Sequence, residues 1–289
     1  MRLNKYISET GVCSRREADQ WIEAGRVTLN GVRAQLGLKV EANDEVRVDG
    51  ELIGAKKKPI YIALNKPAGI TCTTESHVKD NIVDFIGHAE RIFPVGRLDK
   101  DSEGLILLTN DGDIVNEILR SENEHEKEYL VRVNRPITDL SLAMLASGVK
   151  IMGVMTKPCK VGRTGRDGFR MILTQGLNRQ IRRMCSALGY RVEGLRRVRI
   201  INIDLGSLPS GEWRYLSDAE IAGLTVGEVK SRATPAPTRR PSNDGPPRSA
   251  SPDPAPSPRA IEKNPRPHQS NERSSKRERT APPRSSTRR

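Results

Sequence analysis

The chain has 289 residues, room for one large or two ordinary domains, and carries 49 Lys and Arg against 36 Asp and Glu, a formal charge of +13. Its residues are 35% hydrophobic and 3% aromatic, no stretch approaches the roughly 20 apolar residues of a membrane helix, and Met1-Arg2-Leu3-Asn4 opens no apolar signal region. A membrane protein is therefore not expected and a cytoplasmic location is. Cys13, Cys72, Cys159 and Cys185 form no CxxC pair, and the four histidines have no ligand spacing, which argues against a disulfide framework or a metal site.

Residues 1–54 read as a compact module. Leu3, Tyr6 and Ile7 share a helical face, and Gly11 is placed to end it. Ser14-Arg15-Arg16-Glu17 fits a capping box, in which Ser14 accepts from the third backbone N–H of the helix and Glu17 reaches back. Ala18, Trp21 and Ile22 give this second helix an apolar face that Gly25 closes. Asn30-Gly31 between short apolar runs predicts a hairpin, and the strand 46–48 turns at Asp49-Gly50.

Residues 55–58 read as a linker. From 59 to 229, strands over 59–64, 105–109, 128–133 and 169–173 intermix with helices over 82–85, 112–119, 139–147 and 178–188. No regular βαβ repeat is present, so the fold class is α+β with a mostly antiparallel mixed sheet. Residues 230–289 hold 13 of the 19 prolines, no aromatic residue and a net charge of +10. They read as a disordered basic tail, either an electrostatic tether to a polyanion or an aid to solubility.

Charge is segregated within the body. Residues 157–199 contain 12 Lys and Arg against Asp167 and Glu193, which reads as a surface facing an anion, with nucleic acid the economical partner. The sequence GRLDKDSEGLILLTN at 96–110 sets a polar loop before an apolar run that must be a buried strand. Arg97, Asp99 and Asp101 are then held on a rigid scaffold, expected at a sheet edge. A carboxylate beside Arg97 and Lys100 is suited to act as nucleophile or base. Taken as residues alone, Asp and Ser here serve equally as turn formers, and Asp99 with Asp101 could be the acid and base of a glycoside hydrolase.

The first module resembles the S-four-type RNA-binding domain, through RLNKYISETGVCSRREADQWIEAGRVTLNG and DEVRVDGELI. The resemblance lays the second helix on an RNA backbone, with Arg15 and Arg16 on phosphates and Lys5 and Arg26 as further contacts. GRLDKDSEGLILLTNDGD resembles the catalytic motif of the RNA pseudouridine synthases, in the branch that includes RsuA, RluB, RluE and RluF. LNKPAGITCTT at 64–74, EKEYLVRV at 126–133 and QGLNRQIRRMCSALGY at 175–190 follow in that family's order.

This second resemblance implies that Asp99 is the catalytic aspartate. Arg97 would fill the space left by the flipped nucleotide, and Tyr129 would stack on the target base and take part in proton transfer. Arg182 would pair with Asp99, with Arg179 and Arg183 as RNA contacts on the polar face of the same helix. It also implies an isomerisation without cofactor or metal, an rRNA partner and a monomer. Leu177 after Gly176 and Ser102 in place of a frequent threonine depart from the family pattern and leave the identities of Asp99, Tyr129 and Arg182 unchanged. GLNRQIRRM and NEHEKEYLV are most similar to the RluF subfamily, which implies a 23S rRNA target near the peptidyl-transferase centre. The RluB, RluE and RsuA types, tRNA as a further substrate, and a ribosome-binding protein without activity are the alternatives.

Overall fold

A computed structural model describes residues 1–54, 57–119 and 124–225. The tail at 230–289, expected to be disordered, and residues 55–56 of the expected linker lie outside the described residues.

The amino-terminal module opens with α1 (Leu3–Glu9) and α2 (Arg15–Glu23). The capping box forms: Glu17 N donates to Ser14 Oγ at 3.1 Å and Ser14 N to Glu17 Oε2 at 2.7 Å. Strands β1 (Val27–Leu29), β2 (Val32–Arg33), β3 (Val46–Val48) and β4 (Glu51–Leu52) follow, in the order β2-β1-β3-β4. Asn30 at φ 53° and Gly31 at φ 78° take the left-handed geometry that a two-residue hairpin turn requires. Leu3, Ile7, Ala18, Ile22, Val27 and Val46 form the core between helices and sheet.

The body contains, in chain order, β5 (Tyr61–Lys66), α3 (Ile82–Ile86), β6 (Phe93–Val95), β7 (Glu103–Thr109), α4 (Gly112–Leu119), β8 (Lys127–Val133) and α5 (Asp139–Ser147). The hairpin β9 (Lys150–Ile151) and β10 (Val154–Met155) precedes β11 (Lys160–Arg163), β12 (Gly168–Leu173), α6 (Gln180–Ala187), β13 (Val192–Ile200), β14 (Ile203–Asp204), β15 (Trp213–Tyr215) and α7 (Asp218–Thr225). Nine strands make one sheet, ordered β11-β12-β8-β13-β7-β5-β15, with β14 on β13 and β6 on β7. Pairing is antiparallel except between β7 and β13, so the sheet is the expected mixed one. Helices α5 and α6 cover one face through Leu142, Leu145, Ile181 and Met184, whereas α4 and α7 cover the other through Ile114, Ile118 and Leu224.

Two expectations are corrected. The strand after the Asp99 loop is not at a sheet edge: β7 lies between β5 and β13, and Gly104 to Thr109 are all buried. The basic segment 157–199 is not a single cationic surface either. Lys160 and Arg199 pair with Glu126, Arg199 and Arg170 with Glu128, Arg163 with Asp139, and Lys157 with Glu124. Cations clustered along the chain here meet acidic partners from β8, from the segment just before it, and from α5.

The module meets the body through Lys5, whose Nζ is 2.6 Å from Asp113 Oδ1 on α4. Lys57 pairs with Glu90, and Lys58 O accepts from Asn110 Nδ2 at 2.9 Å, so the described end of the linker is fastened to the body. Among the described residues no helix is long and apolar enough to cross a membrane.

At the foot of α7, Glu220 receives both Arg214 guanidinium nitrogens, at 2.6 and 2.8 Å, and the Ser217 N–H at 2.9 Å. Led by the Arg214 contact, these hold its carboxyl down at about 2, from an ordinary 4.5. A depressed carboxyl pKa stabilises the fold fully above its unfolded value, and that contribution disappears as pH falls toward the folded one. Glu220→Gln is therefore expected to flatten the acid limb of a stability profile between about pH 4.5 and 2. Denaturant titrations of both proteins across that range check this; parallel limbs would refute it.

Candidate active site

The loop 96–102 enters β7 across the face that carries α3. Gly96 turns it at φ 76°, and Leu98 is buried against Ile62, Leu64 and Ile106. Leu98 N donates to Cys72 Sγ at 3.4 Å, and Ser102 N to Asp99 O at 3.0 Å. With Leu98 anchored and Ser102 buried, Asp99 is left 30% exposed between them, while Arg97 is open to solvent.

Helix α6 supplies the counter-charges. Arg182, expected as the partner of Asp99, does approach it: Nε lies 3.7 Å from Asp99 Oδ2. Its hydrogen bonds go elsewhere, however. Nη2 donates to Asp101 O at 3.2 Å and Ser102 Oγ at 3.1 Å, also meeting Asp101 Oδ2 at 3.1 Å, and Nη1 donates to Val192 O at 3.3 Å. Arg182 thus ties the loop to β13. The shorter approach to Asp99 comes from Arg179, whose Nη1 lies 3.3 Å from Oδ2. Arg183 is turned away, donating to Asn178 O at 3.0 Å and Asn178 Oδ1 at 3.1 Å.

Beneath the loop, sheet register builds a row that sequence reasoning missed. Met171 on β12 pairs with Tyr129 on β8, Tyr129 with Arg197 on β13, Arg197 with Gly104 on β7, and Gly104 with Lys66 on β5. Laterally paired residues project to the same face, so Tyr129, Arg197 and Lys66 stand side by side. Tyr129 is half-buried between the core under α3 and the core under α5 and α6. Lys66 is fully buried, donating Nζ to Pro67 O at 2.8 Å and Ile70 O at 2.9 Å. Burial lowers its pKa, against the attraction of Asp101, Asp99 and Glu103. Arg197 is 4% exposed, donates Nε to Leu105 O at 2.7 Å, and among the described residues leaves Nη2 without a hydrogen-bond partner. Burial, with the charge of Arg197 second, also lowers the pKa of Lys127. Lys66 and Arg197 thus give the row two buried cations, and the charges of Asp99 and Asp101 reach the first of them.

Comparisons with known proteins bear on the family of the chain. A family model described as RNA pseudouridylate synthase matches residues 60–187, and an S4 domain model matches residues 1–46. The dual-specificity RNA pseudouridine synthase RluF of Escherichia coli K12 is 54% identical over 245 residues, spanning 82% of this chain and 84% of its own. The chain belongs to the RNA pseudouridine synthase family. The ribosomal large subunit pseudouridine synthase B of Bacillus subtilis is 34% identical over 232 residues, 77% of this chain and 95% of that one. A solved structure titled as the crystal structure of pseudouridylate synthase superposes at a TM-score of 0.57, with 32% identity over 78% of this chain and 99% of that one.

In this pseudouridine synthase the candidates of the amino-terminal module are not equivalent. Arg15 and Arg16 are exposed on the first turn of α2. Lys5 is engaged with Asp113 and, at 3.5 Å, with Glu9. Arg26 lies over the Trp21 ring at 4.7 Å, with Nε 3.0 Å from Asp49 Oδ1. The motif LNKPAGITCTT at 64–74 marked Lys66 by resemblance without a role, whereas Arg197 was hidden inside the basic segment.

Proposed function

We propose that this synthase isomerises one uridine of 23S rRNA near the peptidyl-transferase centre, with Asp99 as the catalytic carboxylate and Tyr129 facing the flipped base. The observation that carries the reading is the placement of Asp99: a partly exposed carboxylate, 3.3 Å from Arg179 and 3.7 Å from Arg182, on the loop that runs into Gly104 of the row that holds Tyr129. Pseudouridine formation breaks a carbon–nitrogen glycosidic bond, rotates the uracil and rejoins it through carbon. Atoms and electrons balance within the substrate, so the reading needs no cofactor or metal. Asp99 acts either as the nucleophile at the sugar or as the base that removes the 2′ proton.

A stacked uridine is out of reach of this loop, so the nucleotide is flipped out at a cost of a few kcal/mol. Arg97, exposed two residues before Asp99, is suited to the space it vacates, and loops or ends of the RNA have the smallest unstacking cost. Residues 1–54 serve as the RNA-binding domain, with Arg15 and Arg16 better presented than the ion-paired Lys5 and Arg26, and residues 59–229 as the catalytic domain of a cytoplasmic monomer. The 54% identity to RluF, against 34% to the large subunit pseudouridine synthase B of Bacillus subtilis, supports the RluF-type reading on which the proposed 23S target rests, and the description of RluF as dual-specificity supports testing for a second RNA substrate. Mapping pseudouridine in rRNA and tRNA from a strain lacking the gene tests this. One 23S position without pseudouridine is the expected result; an unchanged map of 23S rRNA refutes the target.

A further inference from the structure

The two arginines that meet the carboxylates are built differently. Arg182 is 13% exposed and is also bonded to the loop and to β13. Arg179 is 43% exposed, and among the described residues its side chain meets only carboxylate oxygens, at 3.3 Å on Asp99 and 3.5 Å on Asp101. Its backbone occupies the left-handed region, φ 48° and ψ 37°, at the N-cap of α6, a conformation that costs a non-glycine residue about 1 kcal/mol or more. Neighbouring side chains brace that turn without involving Arg179: Arg183 bonds Asn178, and Gln180 Oε1 accepts from Leu177 N at 2.9 Å. The strained backbone thus directs one solvent-facing cation over Asp99 and Asp101.

On its other side Arg179 borders an open groove of about 500 Å³ between α6 and the β9–β10 hairpin. Lys150, Met152, Arg182 and Arg183 also line it, and among the described residues no acidic one does. An RNA strand brought to Asp99 meets two carboxylates that repel its phosphates, and a groove that attracts them.

We infer that Arg179 is a displaceable counter-charge: it covers Asp99 and Asp101 in the free protein and moves to an RNA phosphate in the α6 groove when the target strand enters, uncovering Asp99. Arg182 stays in place and keeps the loop on β13. This rests on the reading of Asp99 as the catalytic carboxylate. The exchange trades two long ionic pairs for a phosphate contact, so the cation over the carboxylate departs only as substrate arrives.

The test uses the full chain and a 23S rRNA transcript, with Kd measured over a series of KCl concentrations and the single-turnover rate measured at saturating RNA. Removing one phosphate contact lowers the slope of log Kd against log salt by about 0.7 to 0.9. Arg179→Gln is expected to show that decrease and to bind several-fold more weakly at low salt. Arg179→Lys is expected to restore the slope, and both variants should melt with the native protein. An unchanged slope in Arg179→Gln, or a saturated rate reduced more than a hundredfold with the slope unchanged, overturns the proposal. Native protein that binds the transcript without forming pseudouridine counts against the target reading instead, and the slopes still decide the fate of Arg179.

Discussion

Asp99→Asn is expected to leave a folded protein that binds rRNA as tightly as the native one, or more tightly, and forms no measurable pseudouridine. Asparagine keeps the shape of the side chain but can neither attack the sugar nor accept its 2′ proton. Removal of a residue of this kind from a cooperating set costs on the order of 10⁴ to 10⁶ in rate. Local structure should survive, because the loop is not held by Asp99. Arg182 keeps Asp101 O, Asp101 Oδ2, Ser102 Oγ and Val192 O, and Arg179 keeps Asp101. Asparagine forgoes only the ionic pairs to Arg179 and Arg182, at 3.3 and 3.7 Å from a partly exposed carboxylate, and such pairs contribute about 1 kcal/mol or less. Affinity should not fall, since the substitution removes a negative charge from a surface that receives phosphates. Single-turnover conversion of the transcript, read beside its Kd, separates the alternatives. Product at the native rate would remove Asp99 from the chemistry. Free uracil in place of pseudouridine would point to hydrolysis. Loss of binding together with product would favour a ribosome-binding role for the loop.

The features that the sequence made legible are those that local chemistry determines. Ser14 and Glu17 satisfy the first turn of α2 within four residues, Asn30-Gly31 takes a left-handed turn wherever it lies, and Gly104 to Thr109 are apolar enough to specify burial. The polar loop before that run then marks Asp99. Strand β13 escaped notice because Val192-Glu193-Gly194-Leu195-Arg196-Arg197-Val198-Arg199-Ile200 reads as a charged segment. Its burial depends on partners far along the chain: Glu128 for Arg199 at a separation of 71 residues, and Leu105 O for Arg197 at 92. The same holds for the row from Tyr129 to Lys66. Lys66 and Arg197 donate to backbone carbonyls and come side by side through register, and the register leaves no spacing in the sequence. Arg179 and Arg182 were both visible on α6, but which of them approaches Asp99 more closely follows from the left-handed N-cap, which no helical pattern contains.

Gly104→Ala is expected to be the most destabilising single-methyl change near the site. Gly104 sits at φ +100°, in the left-handed half of backbone space where an L side chain is strained, and a Cβ there would lie 2.2 Å from Arg197 O and 2.8 Å from Arg197 N. Those are main-chain atoms of β13, paired in parallel with β7 at this residue, so neither can move without separating the two strands. Backbone strain of about 1–3 kcal/mol and overpacking of about 1–3 kcal/mol together give a loss of about 2–6 kcal/mol. At about 2–4 °C per kcal/mol for a folded region of this size, melting should fall by roughly 10 °C. Activity should fall as well, because Gly104 is the link between Lys66 and Arg197, and Arg197 is paired with Tyr129. Displacing β13 moves Tyr129 relative to Asp99 without touching either residue. Gly112→Ala is the control: it opens α4, its φ is not in the left-handed region, and an added Cβ there meets nothing within 4 Å, so its stability should change little. Thermal melts of the two variants beside the native protein decide the matter. If Gly104→Ala melts within about 2 °C of native, less than the shift expected of a single kcal/mol, the close approach of β7 to β13 does not constrain the site, and the row from Tyr129 to Lys66 cannot be what positions it.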